Sequence, residues 1–152
     1  MLTVRLAEPA DVERLRQLAK SAFAPYVARI GKQPGPVSAD YAGAVDRGEA
    51  WVAEQAGAVV GLLVLVPQPD HLLLDIIAVD PAARGSGVGA RLLALAEEQA
   101  ASRGRPEIRL CTNVAMTENL AYYPRHGYVE THRGRQDGYD RVFFRKRLGQ
   151  LS

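Results

Sequence analysis

The chain has 152 residues, of which 47% are hydrophobic and 24% charged, and its formal net charge is +2. This length corresponds to about one domain, and we expect a single domain over residues 1–152. The composition excludes a disordered chain, because there is enough apolar side chain to offset the entropy of ordering. Cys111 is the only cysteine, which excludes a disulfide scaffold.

Charge and hydropathy also argue against two classes of partner. A net charge of +2 is too small to indicate a nucleic acid. The longest apolar run, residues 59–66, is far shorter than the roughly 20 residues of a membrane span. The N-terminus lacks the apolar core of a signal peptide. Together with the single cysteine, this predicts a cytoplasmic protein.

The first part of the chain contains a strand, a helix, a loop and a second helix. Residues 2–6 alternate as a strand, and residues 9–22 carry apolar side chains at helical spacing. Residues 25–36 are rich in glycine and proline, which predicts a loop. Ser38 is suited to cap a short helix over residues 38–45.

The rest of the chain is predicted to contain three consecutive strands, followed by two helices and three further strands. Short connections predict antiparallel hairpins between three apolar runs at residues 49–54, 58–66 and 72–79. Helices are predicted at residues 87–102 and 117–127, and strands at residues 108–111, 128–131 and 141–144. The result is an α/β (α+β) fold with a mixed, mostly antiparallel sheet of about seven strands and about four helices. It contains one strand–helix–strand crossover.

A glycine-rich turn connects the strand at residues 72–79 to the helix at residues 87–102. Gly85, Gly87 and Gly89 have no Cβ, so their backbone N–H groups are accessible to a ligand. The first N–H groups of a helix lack internal partners and carry the positive end of its dipole. The turn therefore predicts an anion site for a phosphate or diphosphate. A tight structural connection is the alternative interpretation.

The surrounding sequence narrows the choice of phosphate ligand. The P-loop pattern G-x-x-x-x-G-K-[ST] is absent. Residues 85–90 match the dinucleotide pattern G-x-G-x-x-A, but antiparallel hairpins precede them instead of the first strand of a parallel unit. The next predicted strand also ends without a carboxylate. This context argues against a nicotinamide cofactor.

Two segments resemble the GNAT family of N-acetyltransferases. Residues 84–89, R-G-S-G-V-G, are similar to its R/Q-x-x-G-x-G/A motif, and residues 77–81 are similar to the strand and turn before that motif. Residues 118–128, E-N-L-A-Y-Y-P-R-H-G-Y, resemble its E-N-x-x-x-Y-x-x-x-G-[FY] segment. The resemblance covers the whole chain in element order. It implies a GNAT-like acyl-CoA N-acyltransferase fold and an acetyl-CoA-dependent N-acetyltransferase.

The resemblance implies that acetyl-CoA lies across a V-shaped split in the sheet. The backbone of residues 77–79 would pair with the pantetheine arm and stabilise the oxyanion. The diphosphate would bind the N–H groups of residues 84–90. The cofactor-binding residues implied in this way are Ile77, Ala78, Val79, Arg84, Gly85, Ser86, Gly87, Val88, Gly89, Ala90, Asn119 and Tyr123.

Tyr123 matches the tyrosine that protonates the departing CoA thiolate in this family. A core tyrosine is the alternative interpretation. Pro124 departs from the family pattern, because it removes a hydrogen bond to the Leu120 carbonyl and predicts a kink beside Tyr123.

Asp75 matches a position that often carries the general base. Burial in an apolar strand would raise its pKa toward a useful value. A solvent-facing or Arg-paired carboxylate is the alternative for Asp75, and His71 and His126 are rival bases.

The loop before the second helix covers the acceptor side in this family. Its aromatic and charged residues are predicted substrate contacts, with a solvated loop as the alternative: Tyr26, Arg29, Asp40 and Tyr41. Cys111 is expected to be a buried structural thiol. The three histidines show no metal-ligand spacing, so we expect no metal.

The reaction implied is acetyl transfer from acetyl-CoA to a small-molecule or peptide amine by direct attack in a ternary complex. Two alternatives remain open from the sequence. One is a non-catalytic acyl-CoA-binding module of the same fold. The other is a nucleotide-binding protein that uses the turn at residues 85–89. A homodimer is also an open alternative.

Overall fold

Residues 1–149 are described by a computed structural model. Residues 150–152, which the single-domain prediction includes, lie outside the described residues. The strands are β1 (Leu2–Leu6), β2 (Ala50–Gln55), β3 (Ala58–Pro67), β4 (Leu72–Val79), β5 (Glu107–Asn113), β6 (Val129–Gln136) and β7 (Tyr139–Arg147). The α-helices are α1 (Val12–Phe23), α2 (Tyr26–Ile30), α3 (Tyr41–Asp46), α4 (Val88–Ser102) and α5 (Thr117–Arg125). Short 3-10 helices lie at Pro9–Asp11, Gly35–Ser38 and Pro81–Ala83.

The seven strands form one sheet in the order β1-β2-β3-β4-β5-β7-β6. Every neighbouring pair is antiparallel except β4 and β5, which are parallel and connected through α4. This confirms the predicted mixed, mostly antiparallel sheet with one crossover. Within residues 1–149, no helix has both the length and the apolar character needed to span a membrane.

The structure corrects the prediction for the segment between α1 and β2. The predicted loop contains the short helix α2, which ends where Gly31 adopts a φ of 84° and donates its N–H to the Val27 carbonyl. This helix makes five α-helices in the described part of the chain, where about four were expected. Asp40, and not Ser38, caps α3, because its side chain accepts a hydrogen bond from the Gly43 N–H at 3.0 Å.

A β-bulge at Asp75 changes the orientation of strand β4. Leu65 lies opposite Leu74 and Val64 lies opposite Ile76, so Asp75 has no partner on β3. The protein has two hydrophobic cores, one beneath α4 and one against α1 and α3. Leu74 therefore packs in the first core, while Ile76 packs in the second. A bulge of this kind bends a strand and re-aims the side chain at the bulge.

Strands β4 and β5 pair over only two positions. Leu72 and Leu73 lie opposite residues 108 and 109, and no further pairs follow within the described residues. Beyond these positions the two strands separate, which produces the expected V-shaped split. The Asp80 N–H donates to the Val60 carbonyl. Because backbone groups alternate in direction along a strand, those of Ala78 face β3, whereas those of residues 77 and 79 face the split.

Candidate active site

Two cavities open on either side of the split between β4 and β5. The glycine-turn cavity, of about 520 Å³, is bordered by Gly85, Gly87 and Gly89. The hairpin cavity, of about 310 Å³, is bordered by Asp75 and by the turn between β6 and β7. The two cavities share the lining residues Phe23, Ile77, Met116, Asn119 and Tyr123. The two cavities therefore adjoin each other at these shared residues.

Among the described residues, five backbone N–H groups of the glycine turn have no hydrogen-bond partner. The amides of Arg84 and Ser86 donate to the carbonyls of Pro81 and Ala83, both at 3.4 Å. Those of Gly85 and residues 87–90 make no hydrogen bond to another described residue. They lie at the N-terminus of the 15-residue helix α4, whose dipole adds positive potential. The turn therefore has the donors and the polarity of an anion site.

The structure shows why glycine is needed at two positions of the turn. Gly87 is the N-cap of α4 and has a φ of 85°, which side chains with a Cβ rarely adopt. A Cβ on Gly89 would lie 2.9 Å from the Tyr122 hydroxyl oxygen. Gly89 therefore allows Tyr122 to pack against the first turn of α4, where it lines the glycine-turn cavity.

The turn is anchored by a contact that sequence reasoning missed. The Asp80 carboxylate accepts a hydrogen bond from the Ala82 N–H at 2.9 Å and one from Arg14 at 2.8 Å. The bond from the Ala82 N–H, and to a smaller extent the bond from Arg14, holds the pKa of Asp80 below its ordinary value. Arg14 also donates to the Val59 carbonyl, so α1, β3 and the turn are held together. No local signal identifies Arg14, because the contact joins distant parts of the chain.

Of the two arginines beside the turn, one lines the cavity and one does not. Arg84 lines the glycine-turn cavity, and its side chain donates to the Ala22 carbonyl at 3.4 Å. Arg91 forms an ion pair with Glu98 at 3.0 Å and does not line either cavity. Of these two arginines, only Arg84 is therefore placed to contact an anion at the turn.

Tyr123 lies where the two cavities meet. Its side chain is only 5% exposed, and its ring packs edge-on against Tyr128 and at a tilt against Phe144. Burial raises the pKa of the phenol, so the hydroxyl is protonated at neutral pH. Helix α5 continues past Pro124 and ends at Arg125, so the proline lies in its last turn. Tyr122, by contrast, lines only the glycine-turn cavity.

Asn119 also lies at this junction. Its side-chain amide donates to the Thr112 hydroxyl at 3.0 Å. Its carbonyl oxygen makes no hydrogen bond to another described residue, so the oxygen is available as an acceptor.

Asp75 lies on the hairpin cavity side of the bulge. Its side chain is exposed to the cavity and forms no ion pair within residues 1–149. The cavity walls nevertheless remove enough water to raise the pKa of this carboxyl. Arg141 opposes the rise and Glu49 adds to it. A half-desolvated carboxylate beside a cavity can accept a proton more readily than one in bulk water.

The model of the Acetyltransferase (GNAT) family matches residues 12–128, more than half of the chain. This chain belongs to the GNAT acetyltransferase family. Membership supports acetyl transfer in general as the activity. No curated protein sequence matches the GNAT chain significantly.

Solved structures share the GNAT fold over almost the whole chain. PaiA N-acetyltransferase from Thermoplasma acidophilum, in complex with coenzyme A, is 18% identical with a TM-score of 0.83, over 97% of this chain and 99% of that one. Ard1 from Thermoplasma volcanium is 20% identical with a TM-score of 0.79, over 98% and 99%. YncA from Salmonella typhimurium, solved with its cofactor acetyl-CoA, is 17% identical with a TM-score of 0.73, over 100% and 96%. At these identities the likeness establishes the fold.

In this GNAT structure, two predicted substrate contacts bridge α2 and α5. Tyr26 donates from its hydroxyl to a Glu118 carboxylate oxygen at 3.1 Å, and Arg29 forms an ion pair with Glu118 at 2.5 Å. The Arg29 hydrogen bond is the main reason that the pKa of Glu118 falls to about 2. Tyr26 lines the glycine-turn cavity, and neither residue lines the hairpin cavity.

The other two predicted substrate contacts lie outside both cavities. Tyr41 is fully buried in the core against α1, and its hydroxyl donates to the Pro36 carbonyl at 2.5 Å. Tyr41 therefore cannot reach a substrate in the hairpin cavity. Asp40 is exposed and occupied as the N-cap of α3.

Sequence reasoning missed the residues of the β6–β7 hairpin that border the hairpin cavity. These residues are Asp137, Tyr139 and Arg141. Asp137 and Gly138 have φ values of 53° and 81°, as in a tight hairpin turn. The dipeptide Asp-Gly is itself a hairpin signal, but it does not show which cavity the turn approaches.

The cysteine and the three histidines lie in four different environments. Cys111 is half-buried and lines the hairpin cavity, so it is less enclosed than predicted, and burial raises the pKa of its thiol. His71 lies outside both cavities, while His126 packs against Tyr122 in the glycine-turn cavity. His132 stacks on Phe143. Within residues 1–149, no group of three His, Cys, Asp or Glu residues is arranged to hold a metal ion.

Proposed function

We propose that this GNAT protein is an N-acetyltransferase that transfers an acetyl group from acetyl-CoA to a primary amine in a ternary complex. The observation that carries the proposal is the junction of two cavities at Tyr123, one bordered by free amides and the other by Asp75. A thioester and an amine can thus be bound on opposite sides of one reaction point. The acceptor is a small-molecule or peptide amine, and the proposed location is the cytoplasm.

Unpaired backbone groups would bind acetyl-CoA, the carrier of the acetyl group. The free amides of Gly85 and residues 87–90 suit a diphosphate. The backbone groups of residues 77 and 79 that face the split suit an amide-rich pantetheine arm, by strand addition. The Asn119 carbonyl oxygen adds an acceptor at the junction. The coenzyme A in PaiA and the acetyl-CoA in YncA support this choice of carrier.

The chemical steps use three groups of the chain. Acetyl-CoA supplies an activated thioester. Asp75 accepts a proton from the acceptor ammonium, directly or through water, so that the nitrogen can attack. Backbone N–H groups of residues 77–79 that face the split stabilise the negative charge that develops on the carbonyl oxygen. Tyr123, protonated at neutral pH, donates a proton to the departing thiolate.

The test is a thiol-release assay with acetyl-CoA and a panel of amines, followed by mass spectrometry of the products. The panel contains amino acids, polyamines, aminoglycosides, a peptide with a free N-terminus and a lysine peptide. We expect amine-dependent release of CoA thiol together with an N-acetylated product. Binding of coenzyme A is measured in parallel by calorimetry.

Two results would contradict the proposal. Binding of coenzyme A without turnover of any amine would indicate a non-catalytic acyl-CoA-binding module. Binding of ATP or NAD, and not of coenzyme A, would indicate a nucleotide-binding protein that uses the same turn.

A further inference from the structure

The hairpin cavity contains charges of both signs. Asp75 borders it from β4 and Asp137 from the β6–β7 turn. Among the described residues that line it, Arg141 is the one cationic side chain. A primary amine that enters as an ammonium ion is attracted by the two carboxylates. The arginine is not needed for that attraction and weakens it, so its presence requires a separate explanation.

Arg141 is held in position by neutral groups. Its Nη1 donates to Gln136 Oε1 at 2.8 Å and contacts the Cys111 sulfur at 3.7 Å. Its guanidinium carbon lies 5.4 Å from the centre of the Tyr139 ring. Arg141 forms no ion pair within residues 1–149. The guanidinium is therefore not engaged by a carboxylate in a direct ion pair and has N–H donors left for a ligand.

The wall that carries Arg141 is fixed to the opposite side of the cavity. Lys32 donates to the Gly138 carbonyl at 2.6 Å, and its ammonium lies 4.1 Å from the centre of the Tyr139 ring. The Tyr139 hydroxyl donates to the Gln33 carbonyl at 2.5 Å. These contacts join the β6–β7 turn to the segment after α2, so the donors of Arg141 are held in position before a ligand arrives. Preorganised donors lose little entropy on binding.

The balance of charge indicates which anion Arg141 receives. With two carboxylates and one guanidinium, the cavity suits a ligand that carries one positive and one negative group. A phosphate dianion would be repelled by Asp75 and Asp137, whereas a carboxylate has one charge and the planar shape that a guanidinium binds in bidentate fashion. A volume of about 310 Å³ fits a molecule of amino-acid size.

We propose, on the basis of the N-acetyltransferase function above, that the acceptor is a free amino acid or a close analogue. Arg141 binds its carboxylate, and Asp75 and Asp137 attract its ammonium group. In the reaction the N–C bond to the acetyl group forms and the C–S bond of the thioester breaks. The nitrogen loses two protons. One passes to solvent through Asp75 before attack. The other is lost to solvent as the C–S bond breaks, while Tyr123 donates a proton to sulfur and regains one from solvent, so that CoA leaves as the thiol.

The experiment compares acceptors that differ only in the carboxylate. The best substrate among the twenty common amino acids is assayed beside its carboxamide and its decarboxylated amine, with wild type and Arg141→Gln. We expect Arg141→Gln to lower kcat/KM for the amino acid about 10- to 100-fold more than for the carboxamide. The comparison uses variant-to-wild-type ratios, because the amine pKa differs between the two acceptors.

Two further variants separate recognition from general effects. Arg145→Gln removes a charge from the same strand at a position that does not line the cavity, and should leave the ratio between the two acceptors unchanged. Arg141→Lys should recover part of the preference, because charge returns without the bidentate fork. Calorimetry with coenzyme A verifies that each variant retains the carrier site.

Several outcomes would overturn the inference. Arg141→Gln would act structurally if it lowered kcat/KM equally for the amino acid and the carboxamide. Turnover of polyamines or peptides without turnover of any free amino acid would exclude this acceptor class and leave the N-acetyltransferase function intact. Absence of turnover with every amine would overturn both proposals.

Discussion

At the residue scale, the desolvated carboxylate of Asp75 predicts a characteristic pH dependence. A general base must be ionised, so kcat/KM of the wild type should rise as pH increases through the raised pKa of Asp75. Asp75→Asn should lower kcat/KM at neutral pH by about 100-fold and remove this rise. The measurement is a pH–rate profile. Asp70→Asn, an exposed carboxylate that lines neither cavity, is the control and should keep the wild-type profile. An unchanged profile in Asp75→Asn would exclude the base role.

Ionisation of Asp75, which the proposed base role requires, should lower the stability of the fold. Its pKa is raised in the folded state, so the folded protein binds the proton more tightly than the unfolded chain. Ionisation of Asp75 therefore destabilises the fold above the raised pKa, and this cost disappears as pH falls below the ordinary aspartate value. Asp75→Asn should raise Tm at pH 7 and have little effect near pH 3. A lower Tm at pH 7 would contradict the desolvation argument.

Tyr123 and its neighbour Tyr128 provide a matched pair of hydroxyl groups. Tyr123→Phe should lower kcat by about 100-fold and change the affinity for coenzyme A little, because only the proton donor is lost. Tyr128 packs in the same cluster, but its hydroxyl is buried without a hydrogen-bond partner among the described residues. Tyr128→Phe should therefore retain kcat and raise the free energy of unfolding by about 1–3 kcal/mol. Equal kcat in both variants would exclude Tyr123 as the acid.

At the scale of elements, the strand–turn–helix unit can be tested with two glycines that both have a positive φ angle. Gly87 and Gly48 both have positive φ and open space around the Cβ position. Valine at either site should lower the free energy of unfolding by about 1–2 kcal/mol. Only Gly87→Val should also weaken coenzyme A binding, by about tenfold or more, because a hydrogen bond to a charged group is worth about 1.5–3 kcal/mol. Calorimetry would reject the anion site if both variants bound coenzyme A like wild type.

At the scale of the whole molecule, the split between β4 and β5 predicts that the carrier stabilises the fold. A ligand that pairs with the free backbone of β4 and with the turn at residues 84–90 replaces hydrogen bonds that the open sheet lacks. Coenzyme A at 100 times its Kd should add about 2.7 kcal/mol, which corresponds to a rise in Tm of roughly 5–10 °C for a chain of this size. Thermal unfolding with coenzyme A, ATP and NAD measures this. A similar rise with ATP or NAD would contradict the assignment.

Local signals were sufficient for most of the elements. The ranges predicted for β1 and β4 agree with the structure, because apolar residues and short turns mark them clearly. The helix α2 was missed, because five residues are too few to show helical periodicity. The predicted range for strand β6 was too short, because the strand is exposed along its whole length and carries no apolar alternation that would mark its end.

By itself, the sequence determined the turn between β4 and α4, the order of the elements and the E-N-x-x-x-Y segment. These features depend on residues that are close together in the chain, where glycine conformation and helix ends follow local rules. The tertiary structure alone decided that the bulge turns Asp75 toward a cavity, and that Arg141 approaches it from β7. It also decided that Tyr41 is buried in the core. These outcomes depend on strand register and packing between distant segments, and a linear pattern does not specify which side chains such contacts bring together.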